Sequence, residues 1–280
     1  MTGDVELNVN TILAILAERA GARPCLDAAG IAASALDHPT VTGLHVRVDP
    51  RRDILPTEEM LLPEQERAME IEAMAEGHAM RDVFSVWTAG LDRQVETTWL
   101  DITDGIDDEI TMLGRQAALN VVANLTQESR GHARAAFHAC LFKTHRPLLV
   151  VPHTYTPRPL RRVLIGWKDT PTGRRALDAS LPWLRRAEDI RLVCIGRPGL
   201  LELDWAREYF ADKEIKVAIV DVERERDISV GTQILEEARR FDADWLITGA
   251  YWHSELAEWI LGGVTDALLR QATVPLFMCH

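Results

Sequence analysis

Two kinds of apolar pattern alternate along the second half of the chain: short apolar runs and amphipathic stretches. Short apolar runs predict strands at residues 163–167, 190–195, 215–222, 244–248 and 275–279. Amphipathic stretches between them predict helices, the first over residues 171–186 and the last ending near residue 271. Thr170 and Ser229 stand where helix N-caps are expected, and Pro171 fits a first helical turn. The pattern therefore predicts a βα repeat.

Buried strands separated by helices indicate a parallel sheet that is covered on both faces. The first half repeats this plan more loosely, with Leu26-Asp27-Ala28-Ala29 echoing Leu177-Asp178-Ala179-Ser180, and with an unusually long helix near residues 60–89. We therefore predict two tandem doubly wound α/β domains that form an intramolecular pseudo-dimer. The first spans residues 1–153, a proline-containing linker residues 154–160, and the second residues 161–280.

Composition limits the partners that the chain can have. The net charge is −12 and no long run of Lys or Arg occurs, which argues against a nucleic-acid partner. No apolar run approaches the roughly 20 residues that cross a bilayer, and residues 1–6 lack the pattern of a signal peptide, so neither a membrane nor export is expected. The four cysteines form no CxxC motif, and a reducing cytoplasm fits them best.

A glycine-containing segment follows the strand predicted at residues 244–248. Gly249 begins it, and Gly262-Gly263-Val264-Thr265 ends it. Glycines let backbone N–H groups approach a ligand, and a helix that starts at Gly263 would direct its free amides toward an anion. The spacing alone is equally compatible with a surface helix that glycines interrupt.

This segment resembles the phosphate loop of the universal stress protein family, in which Gly, two residues, Gly, nine residues, Gly and Ser or Thr hold ATP. Gly249 and Gly262 match that pattern, and Val264 and Thr265 continue it. Trp252 stands where the second Gly is expected, and Gly263 where Ser or Thr is usual. The opening strand and loop of residues 163–170 is also similar to the family, although Lys168 takes the place of its acidic residue.

The resemblance implies a modified adenine-nucleotide cleft in the second domain, for ATP or AMP with Mg²⁺. The residues that it implicates in ligand binding are Trp167, Lys168, Asp169, Thr170, Gly249, Trp252, Ser254, Gly262, Gly263, Val264 and Thr265. The first domain has no Asp-Gly-Ser at residues 14–23 and no glycine loop at residues 126–132. The resemblance therefore implies that the first domain lacks a nucleotide site and serves for pairing with the second.

Two features of the loop weigh against a polyphosphate ligand. A Trp at position 252 would cost about 1–2 kcal/mol if the backbone there must be left-handed. Residues 244–269 contain no Lys or Arg, whereas Glu255, Glu258 and Asp266 add negative charge. Lys168, helix amides and a bound cation could offset that charge, and the Trp252 indole could instead stack on an adenine or pack in the protein.

No catalytic group stands out elsewhere, and we expect a protein that is not an enzyme. We expect one helix to run through His132, His138 and His145, but these residues are six and seven apart, whereas a helical metal site needs spacings of three or four. His253 and Ser254 lack a GxSxG elbow, and a helix cap is the ordinary role of such a Ser. The main hypothesis is a regulatory or protective stress protein; the alternatives are a ligand-free interaction scaffold and a slow ATP hydrolase. A homodimer of such chains is left open.

Overall fold

Strands and helices alternate along the chain as the apolar pattern predicts. The computed structural model describes residues 7–8, 10–47, 63–91, 95–103, 105–196, 200–250 and 263–280. Two compact units are distinguished, Met1–Arg146 and Pro147–His280. Both consist of mostly parallel sheets with intervening helices, so the predicted α/β class with parallel, Rossmann-like sheets is confirmed.

The first unit contains four parallel strands in the order β3-β2-β1-β4. A helix with π-type hydrogen bonds, Ala139–Lys143, directly continues its last α-helix. The elements in chain order are β1 Thr11–Ile15, α1 Arg19–Ala33, β2 Thr40–Arg47, α2 Pro63–Thr88, β3 Glu96–Thr103, α3 Ile106–Gly114, β4 Leu119–Ala123 and α4 Gly131–His138.

The second unit has six strands in the order β5-β10-β9-β6-β7-β8. All neighbouring strands are parallel except β5, which pairs antiparallel with β10. The elements are β5 Leu148–Val151, β6 Arg162–Gly166, α5 Pro171–Leu184, β7 Asp189–Ile195, α6 Leu200–Asp212, β8 Ala218–Val222, α7 Val230–Phe241, β9 Trp245–Gly249, α8 Gly263–Gln271 and β10 Leu276–Cys279.

Local sequence explains where the helices of the second unit begin. The Thr170 hydroxyl accepts a hydrogen bond from the Gly173 N–H at 3.1 Å, and Pro171 occupies the first turn of α5, as predicted. Ser229 caps α7 in the same way by accepting from the Thr232 N–H at 3.0 Å. Both predicted caps are therefore present.

Aromatic packing joins a helix to two strands in the core of the second unit. Trp183 on α5 lies 6.1 Å from Trp245 on β9 and 5.4 Å from Phe277 on β10, measured between ring centroids. All three side chains are buried. Because large aromatic rings bury much apolar area, this cluster fixes the C-terminal end of α5 against the sheet.

The predicted linker is attached to the second unit by a buried carboxylate. Asp244, at the start of β9, accepts hydrogen bonds through Oδ2 from the backbone N–H groups of Arg161 and Arg162 at 2.8 and 2.7 Å. Its Oδ1 lies 2.6 Å from Nε of Arg158, which also pairs with Asp242 at 2.8 Å. The boundaries 1–153 and 161–280 stay a prediction.

The histidine-containing helix of the first unit differs from the expectation that it runs through residues 132–145. Helix α4 ends at His138, the π-type turn ends at Lys143, and His145 adopts a left-handed backbone with φ of 53°. Nε2 of His132 lies 3.1 Å from the Ala17 carbonyl oxygen. Among the described residues, no group of three or more His, Cys, Asp or Glu side chains is placed to hold a metal.

Candidate functional site

The loop after β6 and the end of β9 lie at one edge of the second unit's sheet. Strands β6 and β9 are parallel neighbours, with Gly166 in register with Thr248. Trp167, Lys168, Asp169 and Thr170 follow β6, and Gly249 ends β9. Carboxyl ends of parallel strands are the common place for ligands in such folds. Five of the predicted site residues therefore share this edge.

Gly249 is packed directly against the beginning of helix α5. A Cβ atom at this position would lie 2.7 Å from the Gly173 backbone nitrogen and 2.8 Å from the Thr172 hydroxyl oxygen. The Thr172 hydroxyl in turn lies 3.3 Å from that of Thr170. The absence of a side chain at position 249 thus allows the end of β9 to contact the N-terminal turn of α5.

The close approach at Gly249 leads to a testable prediction. Gly249→Ala is expected to destabilise the second unit by about 1–3 kcal/mol, because backbone atoms of α5 would have to move to admit the methyl group. Chemical denaturation monitored by tryptophan fluorescence measures the change. Gly263→Ala is the matched control, since a Cβ there meets no atom within 4 Å and alanine suits a helix. Equal effects of both substitutions would contradict the packing argument.

Aromatic rings line the loop that follows β6. The Trp167 side chain is only 6% exposed and stacks parallel to Trp205 of α6, with centroids 5.3 Å apart. Trp205 also stacks on Tyr209, one helical turn later, at 5.0 Å. The Trp167 indole N–H is buried and has no hydrogen-bond partner among the described residues.

The charged residues of this loop differ in whether they are paired. Asp169 accepts two hydrogen bonds from Arg174. Its Oδ1 accepts from Nε at 2.6 Å, and its Oδ2 accepts from Nη2 at 2.8 Å. The guanidinium of Arg174 also lies 4.2 Å from the ring centroid of Trp205, a cation–π geometry. Lys168 is exposed. The Asp169 carboxylate is therefore already neutralised within the protein, whereas Lys168 projects into solvent.

Sequence reasoning missed Trp205, Tyr209 and Arg174 as residues of this edge. Trp205 and Tyr209 are four residues apart, a spacing that places both on one face of a helix and that was available as a signal. Their contact with Trp167 depends on how α6 packs against the β6–α5 loop, which local patterns do not specify. The aromatic and charged lining of the edge is thus larger than predicted.

The Asp169–Arg174 pair should make stability depend on pH in the acidic range. Hydrogen bonding to Arg174 lowers the pKa of Asp169 below its usual 3.8. A lowered pKa adds stability above the unfolded-state pKa that is lost as the pH falls through the folded-state value. Asp169→Asn is therefore expected to lower Tm slightly at pH 7, and the difference from the unchanged protein should narrow below about pH 4. A constant difference from pH 7 to pH 3 would contradict this cause.

The second group of predicted site residues is only partly described. Trp252, Ser254 and Gly262 lie outside the described residues. Gly263, Val264 and Thr265 form the first turn of α8, where Gly263 and Val264 are exposed and Thr265 is buried. This turn contacts α7, because a Cβ on Gly231 would lie 2.6 Å from the Val264 carbonyl oxygen. The assignment of these residues to a ligand site stays a prediction.

A groove of the second unit lies away from this edge, whereas Cys279 lies at it, in register with Gly249. A groove of about 460 Å³ lies beside the amino ends of β9 and β10, lined by Arg158, Asp242 and Thr273 among others, and no predicted ligand residue lines it. Cys279, at the end of β10, is a free thiol whose pKa is raised to about 12 by burial. Burial likewise raises the pKa of Cys25 and Cys140 in the first unit. Such thiols are poor nucleophiles at neutral pH.

Comparison with known proteins finds a family match in the C-terminal region. Residues 198–280 match the model of the universal stress protein family. No curated protein sequence matches the chain. Within the described ranges, no helix combines the length and apolar character needed to cross a membrane.

Solved structures extend the similarity to nearly the whole chain. A universal stress protein from Archaeoglobus fulgidus DSM 4304 is 13% identical, covers 98% of this chain and 97% of its own, and has a TM-score of 0.69. A protein of unknown function from Pseudomonas aeruginosa PAO1 is 12% identical over 96% of this chain and 92% of its own, with a TM-score of 0.51. A universal stress protein in complex with cAMP is 20% identical over 43% of this chain and 96% of its own, with a TM-score of 0.36. The chain thus matches the universal stress protein family at residues 198–280 and shares the fold of the Archaeoglobus fulgidus universal stress protein along nearly its full length.

Proposed function

We propose that the chain is a tandem universal stress protein that acts by binding rather than by catalysis. Its role would be regulatory or protective, in the cytoplasm, with the two halves pairing as an intramolecular pseudo-dimer. The second half would use a modified cleft for an adenine nucleotide. The observation that carries this proposal is the packing of Gly249 on the first turn of α5, beside the β6–α5 loop.

Groups at this edge could hold one part of a nucleotide. The hydroxyls of Thr170 and Thr172 and the exposed Lys168 ammonium supply polar or cationic contacts. Among the described residues no carboxylate cluster would bind Mg²⁺ by itself, so the cation would enter with the phosphate oxygens of ATP. These residues fit a ligand with few phosphates, such as AMP, better than they fit a triphosphate.

A ligand-free interaction scaffold is the second candidate function. The loop's aromatic and acidic groups already have protein partners, since Trp167 stacks on Trp205 and Asp169 pairs with Arg174. Helix α2 of the first unit also exposes apolar side chains, with Ile71 68% and Met74 50% accessible. One helical turn separates these two residues, so they lie on the same face. Such a face supports a role in protein contacts.

Calorimetric titration with ATP and AMP, each with and without Mg²⁺, separates the candidates. The comparison needs the unchanged protein, Trp252→Gly, and Trp259→Gly as a control that removes another tryptophan of the same segment. Binding by the unchanged protein, or binding gained only by Trp252→Gly, would support the nucleotide cleft. No binding by any of them would leave the scaffold, and phosphate release above a protein-free control would indicate a hydrolase.

A further inference from the structure

In the first unit, the carboxylate of Glu18, in the loop after β1, binds the N-terminus of helix α4. Glu18 is the N-cap residue of α1, yet its side chain makes no capping bond to that helix. Instead, Oε1 accepts a hydrogen bond from the Arg130 backbone N–H at 2.7 Å, and Oε2 accepts one from the Ser129 hydroxyl at 3.0 Å. Arg130 is the N-cap of α4, the helix that follows β4.

The surrounding contacts hold the two loops together. Ser129 is 7% exposed, and its hydroxyl oxygen accepts a hydrogen bond from the Thr126 backbone N–H at 3.0 Å. Nε2 of His132 lies 3.1 Å from the Ala17 carbonyl oxygen and must donate, because a carbonyl can only accept. The loop after β1 and the loop after β4 are therefore joined through both Glu18 and His132.

Little space remains beside Glu18, between the ends of β1 and β4. A void of about 10 Å³ is lined by Glu18 together with residues at the ends of β1 and β4 and in the adjoining helices. That volume is at the limit for one water molecule. The void between the ends of β1 and β4 is thus too small for a nucleotide.

The N-cap residue of the first helix in each unit has a different partner in the two units. In the second unit, Thr170 follows the first parallel strand and caps its own helix α5. In the first unit, Glu18 follows β1 and instead binds the start of α4. A helix N-terminus attracts negative charge through its free amides and dipole. We propose that Glu18 is a built-in anion that locks the β1–α1 and β4–α4 loops together and keeps the space between the ends of β1 and β4 closed.

Chemical rescue by a small carboxylate tests the proposal. Glu18→Ala is expected to lower Tm by about 3–8 °C, as the loss of a cap and of a loop tether would in a unit of this size. Sodium acetate or formate at 0.2 M should recover part of that loss, about 1–3 °C more than sodium chloride at equal ionic strength. The unchanged protein should show no such difference between the salts.

Glu72→Ala is the matched control. Glu72 is exposed, and its Oε1 lies 3.6 Å from Nη1 of Arg130, so it pairs with the Arg130 side chain rather than with the backbone N–H. It should lose little stability and gain no response to acetate. If Glu18→Ala does not fold, Glu18→Gln retains the side-chain volume, and faster hydrogen exchange at the Arg130 amide then reports the loosened contact. A Glu18→Ala protein as stable as the original, or one that responds to acetate no more than Glu72→Ala, would overturn the proposal. Both substituted residues lie in the first unit, so the result does not depend on whether the second unit binds a nucleotide.

Discussion

Trp183→Ala is expected to lower the free energy of unfolding of the second unit by about 3–5 kcal/mol. The Trp183 side chain is 2% exposed and contacts the rings of Trp245 and Phe277, so its removal leaves a cavity between α5 and the sheet. Urea denaturation followed by far-ultraviolet circular dichroism measures the change.

Trp205→Ala provides the comparison for this prediction. Trp205 is half-buried and stacks on Trp167 at the unit's edge rather than in its core. Its removal should cost clearly less stability than the removal of Trp183, because a partly exposed site loses less apolar burial. If Trp183→Ala cost less than about 1 kcal/mol, the aromatic cluster would not be the core contact that the packing indicates.

Asp244→Asn is expected to destabilise the second unit by about 2–4 kcal/mol. The Asp244 residue is 4% exposed and accepts hydrogen bonds from two backbone N–H groups and from Arg158. An asparagine oxygen can replace Oδ2 toward the amides, but its NH₂ group would then face the Arg158 N–H, and two donors would meet in a buried place. Thermal and urea unfolding both report the loss.

Asp242→Asn is the matched control for Asp244→Asn. Asp242 is exposed and pairs with Arg158 and Arg162, and its backbone is left-handed with φ of 51°, which asparagine also tolerates. We expect a much smaller loss of stability, since exposed ion pairs contribute little. A similar loss in both variants would mean that burial of the Asp244 carboxylate does not determine the effect.

Local patterns predicted much of the fold from the sequence. The caps at Thr170 and Ser229 lie where predicted, and the long helix expected over residues 60–89 is α2, Pro63–Thr88. These features depend on side chains that act within a few residues of their own backbone. The expected helix through His132, His138 and His145 was wrong at its end, because the π-type turn after His138 and the left-handed His145 have no clear local signal.

The candidate site was predictable only in part. The resemblance to universal stress proteins pointed to the β6–α5 loop and to Gly249, and the structure places both at one sheet edge. Trp205 and Arg174 were not predicted, because their contacts with that loop arise when α5 and α6 pack against the sheet. Glu18 was missed for the same reason, since its partner Arg130 is 112 positions later in the chain.

The sequence by itself determined the α/β class, the positions of most strands and helices of the second half, and the resemblance to universal stress proteins. Periodicity, capping residues and glycine spacing act over short distances and are therefore visible in one dimension. Only the tertiary structure decided which side chains meet at the carboxyl edges of the sheets: an aromatic stack beside Gly249 in the second unit, and the Glu18 carboxylate at the start of α4 in the first. Such contacts depend on strand order and helix packing, which bring together residues that are remote along the chain.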